Sequence, residues 1–218
     1  MDLNMGEAYS ENVKILITDD HLVIRHGLSF VIKEFLPMAS ISGTSSLAST
    51  LQYLTNEKVN LLILDINMPG GNSFEMIEMI KEVQPDIKIL LFSAYDEEIY
   101  GLRYLKTGVN GYLAKNASEK EIQDAVIKVL SKGKYLSDKL QDQMINMSGN
   151  KYDGNSLHQL TNRELEIARL LVKGERTSSI SEKLSLKLST VSTHKNRIFE
   201  KLKIDNIYGL ITEFKFDS

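Results

Sequence analysis

A doubly wound, five-stranded parallel α/β sheet followed by a small all-α helix-turn-helix unit is the architecture that the sequence predicts. Three observations carry it. Residues 61–64 are four consecutive apolar residues, Leu-Leu-Ile-Leu, closed by Asp65 and a Pro69-Gly70-Gly71 turn, which is the pattern of a strand buried on both faces. Short apolar runs of this kind alternate with segments of helical period up to about residue 131, and that alternation marks parallel βαβ units. After a Gly/Asn/Ser-rich stretch at 149–156 the chain becomes helical to its end.

The elements follow in order. Residues 13–18 (V-K-I-L-I-T) form a first strand that runs into Asp19-Asp20. Residues 21–35 place apolar side chains close to helical period, and Pro37 bars continuation. A strand at 40–44 and a helix at 47–57 precede the central strand. Phe74, Ile77 and Ile80 make one stripe of a helix over 74–83 that ends before Pro85. A fourth strand at 87–92 leads to Ser93-Ala94, a helix covers 97–106, and a short fifth strand at 110–114 ends at Lys115. A helix at 119–131 buries Ile122, Val126, Val129 and Leu130, and a short helix at 139–147 leads into the linker. Beyond the linker, Thr161 and Glu164 are spaced as a capping box, and Gly174 is placed to stop that helix. A short helix at 178–184, a three-residue connection and a longer helix at 188–203 form a helix-turn-helix, with a last helix at 207–216. The boundaries read as 13–132, a linker at 133–157, and 158–218.

Composition narrows the function. The chain has 218 residues, 42% hydrophobic and 25% charged, as soluble globular proteins do. It has no cysteine, which excludes disulfides and thiolate metal sites. No apolar run reaches the roughly 18 residues of a membrane span, and the polar start lacks the pattern of a secretion signal. A cytoplasmic protein without membrane contact is expected. The net charge of −3 is divided: 158–218 carries 11 basic and 8 acidic residues and the rest carries −6. A mildly basic tail on an acidic body suits a nucleic-acid module that depends on placed residues more than on bulk charge.

A doubly wound sheet brings its strand ends to one edge, where ligands bind. Here those ends carry Asp19 and Asp20, Asp65, Ser93 and Lys115. Clustered carboxylates repel and call for a cation, and Mg²⁺ takes one or two carboxylates plus phosphate oxygens. Lys115 adds fixed positive charge and Ser93 a donor. This is what an aspartate needs to accept a phosphoryl group.

At this point residues 13–132 resemble the receiver domain of bacterial two-component response regulators, a flavodoxin-like fold. The resemblance rests on Asp19-Asp20, D-I-N-M-P-G from Asp65, Ser93-Ala94 and G-Y-L-A-K ending at Lys115. It implies that Asp65 is the phosphoacceptor for a sensor histidine kinase. Asp19, Asp20, Asp65 and the Asn67 backbone carbonyl would hold Mg²⁺, Lys115 would pair with the phosphate, and Ser93 and Tyr112 would form the switch. Asn116 stands where many receivers have proline.

Residues 158–212 resemble the LuxR-type helix-turn-helix of the NarL/FixJ class, through L-T-N-R-E-L-E-I-A, Gly174, Ile180, Leu184, Thr190-Val191, His194, Ile198 and Lys201-Leu202. The resemblance implies a recognition helix with Ser192, Thr193 and Asn196 at base edges. Lys187, Thr190, Lys195, Arg197 and Lys201 would contact phosphates, and His194 would be structural. Lys187 replaces a small polar residue, and Arg176-Thr177-Ser178-Ser179 replaces the more usual Ser-Asn-Lys-Glu. The expected protein is a phosphorylation-controlled transcription regulator that binds double-stranded DNA as a homodimer and is not a dedicated enzyme. Two rivals compete with it. A haloacid-dehalogenase-like phosphatase wants an acid two residues after its nucleophile, where this chain has Asn67. A phospho-dependent protein-interaction regulator would have a helical tail that does not bind DNA.

Overall fold

The computed structural model describes residues 13–68, 73–95, 97–147 and 156–215. The Pro69-Gly70-Gly71 turn, the polar start and most of the Gly/Asn/Ser-rich linker lie outside the described residues. The chain divides into two units, Met1–Gly149 and Asn150–Ser218.

In the first unit, strands β1 (Lys14–Thr18), β2 (Ser40–Thr44), β3 (Leu61–Leu64), β4 (Lys88–Ser93) and β5 (Gly111–Ala114) form one sheet in the order β2-β1-β3-β4-β5. Every pairing is parallel. Helices α1 (Leu22–Phe35), α2 (Leu47–Asn56), α3 (Ser73–Val83), α4 (Glu97–Leu105) and α5 (Glu119–Lys132) alternate with the strands. All four residues of β3 are buried, because it lies in the middle of the sheet, with strands on both sides and layers of helix above and below. One core layer packs Leu28 and Ile32 of α1 and Ile122, Val126 and Val129 of α5 against Ile15, Ile17, Ile63 and Phe92 of the sheet. The strand order changes direction between β1 and β3, and this is the point at which such sheets bind ligands.

The start of the sheet's carboxyl edge is fixed by three buried hydroxyls. Thr18, Thr44 and Thr50 lie 2.8–2.9 Å from one another. Thr50 donates its hydrogen to the Ser46 carbonyl at 2.8 Å, so Thr18 and Thr44 supply the two hydrogens that remain for the three contacts.

The chain after α5 does not leave the first unit at once. The Tyr135 N–H donates to the Asn110 carbonyl at 2.8 Å, and the Asn110 amide donates to the Gly133 carbonyl at 2.7 Å. Helix α6 (Asp138–Met147) then packs on α4. Its Leu140 is fully buried and fills the space left by Gly101, where an added Cβ would stand 2.6 Å from the Leu140 methyl. Residues 133–147 of the expected linker therefore pack on the receiver-like unit.

In the second unit a short 3₁₀ turn (Ser156–Gln159) precedes α7 (Asn162–Val172), α8 (Thr177–Lys183), α9 (Leu188–Leu202) and α10 (Ile207–Lys215). The capping box is present: the Thr161 hydroxyl accepts from the Glu164 N–H and the Glu164 carboxylate accepts from the Thr161 N–H at 2.8 Å. Gly174 takes a left-handed φ of 83° after the last turn of α7, a backbone state that glycine reaches without steric penalty. The core is built from Leu165, Ile167, Ala168, Leu171, Ile180, Val191, Ile198, Leu202 and Leu210.

Candidate functional site

Each strand end fixes its site residue by a ladder hydrogen bond one position beyond the strand. The Asp19 N–H donates to the Thr44 carbonyl, the Asp65 N–H to the Thr18 carbonyl at 2.8 Å, and the Lys115 N–H to the Ser93 carbonyl at 2.7 Å. Backbone pairing alone thus brings Asp19, Asp65, Ser93 and Lys115 to one edge.

The side chains converge as the backbone requires. Lys115 Nζ lies 2.7 Å from Asp19 Oδ2 and 2.8 Å from Asp65 Oδ2. Both aspartates are 1% exposed. Ligand atoms of Asp19, Asp20, His21 and Asp65 all lie within 4.8 Å of one another. Burial raises the Asp65 carboxyl above its usual range, opposed by Lys115 and by the Asn67 N–H, which donates to Asp65 Oδ1 at 2.9 Å. Burial works against the Lys115 charge, but the Asp19 and Asp65 carboxylates outweigh it and hold the ammonium above its ordinary range. The Asp20 side chain is about one-third exposed, so the cluster opens to solvent on that side. The donors are carboxylate oxygens carrying more negative charge than one lysine balances. Such a set suits a hard divalent cation.

His21 belongs to this cluster and sequence reasoning did not include it. Its Nδ1 lies 2.7 Å from Asp20 and 3.1 Å from Asp19, and its N–H donates to Asp19 Oδ1 at 2.8 Å. The available signal was its place directly after Asp20, at the first turn of α1.

Ser93 and Tyr112 are both fully buried. Ser93 Oγ accepts from the Tyr95 N–H at 3.1 Å, and the Tyr112 hydroxyl donates to the Tyr95 carbonyl at 3.0 Å. Both expected switch residues therefore hold the same loop residue. Burial pushes the Tyr112 phenol up, opposed by the Ser93 hydroxyl. Tyr104 of α4 stacks on Phe74 at 4.8 Å and lies 6.2 Å from the Tyr112 ring, so aromatic packing ties α3 and α4 to β5.

In the second unit, α8, a turn with Ser185 at φ 51°, and α9 form the helix-turn-helix. Lys187, Ser192, Thr193, Asn196 and Arg197 are exposed, and Thr190 is half-buried. The Lys195 ammonium lies over the Phe199 ring at 5.4 Å. His194 is half-buried, and burial lowers its pKa, as befits a structural histidine. Lys201 has a partner within the unit. It pairs at 2.6 Å with Glu164, whose side chain is 3% exposed, and so neutralises a buried carboxylate while its own side chain stays 36% exposed. Burial opposes the Glu164 charge, but Lys201 and Thr161 hold its carboxyl below the usual range.

This pair has a measurable consequence. A carboxyl with a depressed pKa lends stability above its unfolded value of 4.5 and loses it as pH falls through the folded value. Lys201→Met leaves the buried carboxylate alone and is expected to destabilise the unit by about 3 kcal/mol. Urea unfolding at pH 7 measures this, and the deficit should shrink as pH falls and the unpaired Glu164 protonates. An unchanged midpoint would mean that Lys201 is free.

Residues 15–127 match the response regulator receiver domain family, and residues 158–214 match the bacterial regulatory proteins of the luxR family. This chain is a two-component response regulator. The oxygen regulatory protein NreC of Staphylococcus carnosus is 33% identical over 199 residues, covering 88% of this chain and 92% of that protein. The Fimbriae Z protein of Escherichia coli K12 is 32% identical, covering 90% and 93%. The solved structure of the Salmonella typhimurium RcsB response regulator aligns over 94% of this chain and 98% of its own, with a TM-score of 0.57 at 22% identity, and shares the fold. The response regulator therefore joins a receiver to a LuxR-type DNA-binding domain, the make-up of a transcription regulator. No described helix is long and apolar enough to cross a membrane.

Proposed function

We propose that this response regulator accepts a phosphoryl group on Asp65 from a sensor histidine kinase and, once phosphorylated, binds double-stranded DNA as a homodimer through α9. The observation that carries the reading is the ammonium of Lys115 bridging the buried Asp19 and Asp65 carboxylates. The Asp65 carboxylate attacks phosphorus, the bond to the donor histidine breaks, and an aspartyl phosphate remains. Lys115 turns from the carboxylates to the phosphoryl oxygens. Asp19, Asp20, Asp65 and the Asn67 carbonyl would hold Mg²⁺, which supplies charge neutralisation of those oxygens. Ser93 and Tyr112, which meet at Tyr95, carry the change into the loop before α4.

Residues 13–132 serve as the receiver and 158–218 as the DNA-binding domain. Ser192, Thr193 and Asn196 read bases, and Lys187, Thr190, Lys195 and Arg197 hold phosphates. The protein works in the cytoplasm and is not a dedicated enzyme. RcsB of Salmonella enterica serovar Typhimurium has been solved on promoter P1flhDC with the phosphomimetic BeF3⁻, and we extend that behaviour to this chain as part of the proposal.

Fluorescence anisotropy on the gene's own upstream DNA tests it, with and without Mg²⁺ and beryllofluoride, over a salt series. Binding should tighten with the mimic and weaken steeply with salt. Binding indifferent to the mimic would reduce the receiver to a structural or dimerising part. A protein that holds the mimic and binds no DNA would be a phospho-dependent protein-interaction regulator.

A further inference from the structure

Leu188 is the first residue of α9 and is 51% exposed, although the apolar side of that helix, Val191, Ile198 and Leu202, is buried. We propose that Leu188 is a specificity-determining residue that reads a thymine methyl group in the major groove. The inference rests on the reading of α9 as a DNA recognition helix.

Three features support it. The residues at the N-terminal end of a recognition helix are those that reach base edges. Side chains of a helix tilt toward its N-terminus, so the Leu188 side chain extends past the tip of α9, where no earlier turn covers it. An advance of about 100° per residue puts Leu188, Ser192 and Asn196 within an arc of roughly 80°, and all three are exposed. Leu188 thus borders the polar residues that face the bases.

The chemistry of those neighbours narrows what Leu188 meets. Ser192 Oγ donates to the Leu188 carbonyl at 3.0 Å, and Thr193 Oγ1 donates to the Ser189 carbonyl at 2.9 Å. A hydroxyl has one hydrogen. With that hydrogen directed back into the helix, each presents only lone pairs outward. On the major-groove edge such acceptors match the exocyclic amino groups of adenine or cytosine. Leu188 has neither donor nor acceptor, and the thymine methyl is the apolar group that this edge offers. The half-site read by α9 therefore pairs one thymine methyl with neighbouring amino-bearing bases.

The test uses the full-length protein with Mg²⁺ and beryllofluoride, and a duplex selected by it from a randomised library. Each thymine is replaced in turn by deoxyuridine, which removes the methyl group and nothing else. One position per half-site should then weaken binding about fourfold, as expected for one buried methyl group. Leu188→Ser should bind thymine and uracil equally at that position and keep the wild-type response elsewhere. Uracil without effect at any position, or a wild-type thymine-to-uracil ratio in Leu188→Ser, overturns the inference. Failure to select any duplex overturns the DNA reading itself, before any base is altered.

Discussion

Asp65→Asn is expected to take up no phosphoryl group from a small donor such as phosphoramidate, while unfolding at a higher temperature than the wild type. The first effect removes the nucleophile. Asn keeps the shape of the side chain but has no carboxylate to attack phosphorus. The second effect follows from burial. Asp65 is 1% exposed, and burial raises its carboxyl despite Lys115 and the Asn67 N–H. A carboxyl whose folded pKa is raised favours folding only while protonated, and that contribution is lost as pH rises through the folded value. At pH 7 the charge therefore opposes folding, and a neutral amide relieves it. The advantage of the variant should vanish below the ordinary value of 3.8. Phosphate-affinity electrophoresis reads the first effect and calorimetry across pH the second. A labelled variant would refute the phosphoacceptor assignment. A lower unfolding temperature would mean that the Lys115 pair outweighs the burial of Asp65.

Lys115→Met is expected to destabilise the receiver strongly. It leaves two carboxylates, each 1% exposed, with no ammonium between them. Stranding buried charge in this way costs about 3–5 kcal/mol. The Lys115 side chain is 16% exposed, which sets the expectation near 3 kcal/mol. The raised Lys115 pKa keeps its stabilisation present below the usual 10.5 and loses it only at higher pH. The deficit should therefore narrow as pH falls and Asp65, its carboxyl already raised by burial and no longer opposed by Lys115, protonates. Millimolar Mg²⁺ should raise the unfolding midpoint of the variant more than that of the wild type, because a divalent cation supplies the missing charge. Equal responses to Mg²⁺ would argue against a cation at this cluster.

What the sequence made legible was local. The apolar run of β3 and the acid after it are adjacent in the chain, and every sheet element appears within a few residues of its expected place. Even β2 was readable, although Ser40, Ser42 and Thr44 make three of its five residues polar, as suits the edge of the sheet. The Asp19, Asp65 and Lys115 convergence followed from parallel topology, which sends all strand ends to one edge. The features that escaped are pairings between distant residues. Leu140 has the period of any short helix, and only Gly101, far earlier in the chain, shows where it docks. Lys201 looks like a surface cation until Glu164, 37 residues before it, is seen buried beside it. His21 escaped for a different reason: helix-opening histidines are ordinary, and its role depends on the rotamer that turns it back to Asp19 and Asp20.

The stretch after α5 also bears on how this receiver avoids sticking to itself. β5 ends the sheet, and the open side of a terminal strand is a template for another chain. Here Tyr135 packs its Cβ and carbonyl about 3.1 Å from where a Gly111 Cβ would stand, while its N–H takes the Asn110 carbonyl. The same stretch leads into α6, whose Leu140 seals α4. A fragment cut at Lys132, the end of α5, would bare the rim of β5 and the Gly101 hollow together, inviting edge-to-edge association. A fragment cut after Met147 keeps both covered. Residues that look like spacer thus act as the receiver's selvedge at the Gly111 end of its last strand.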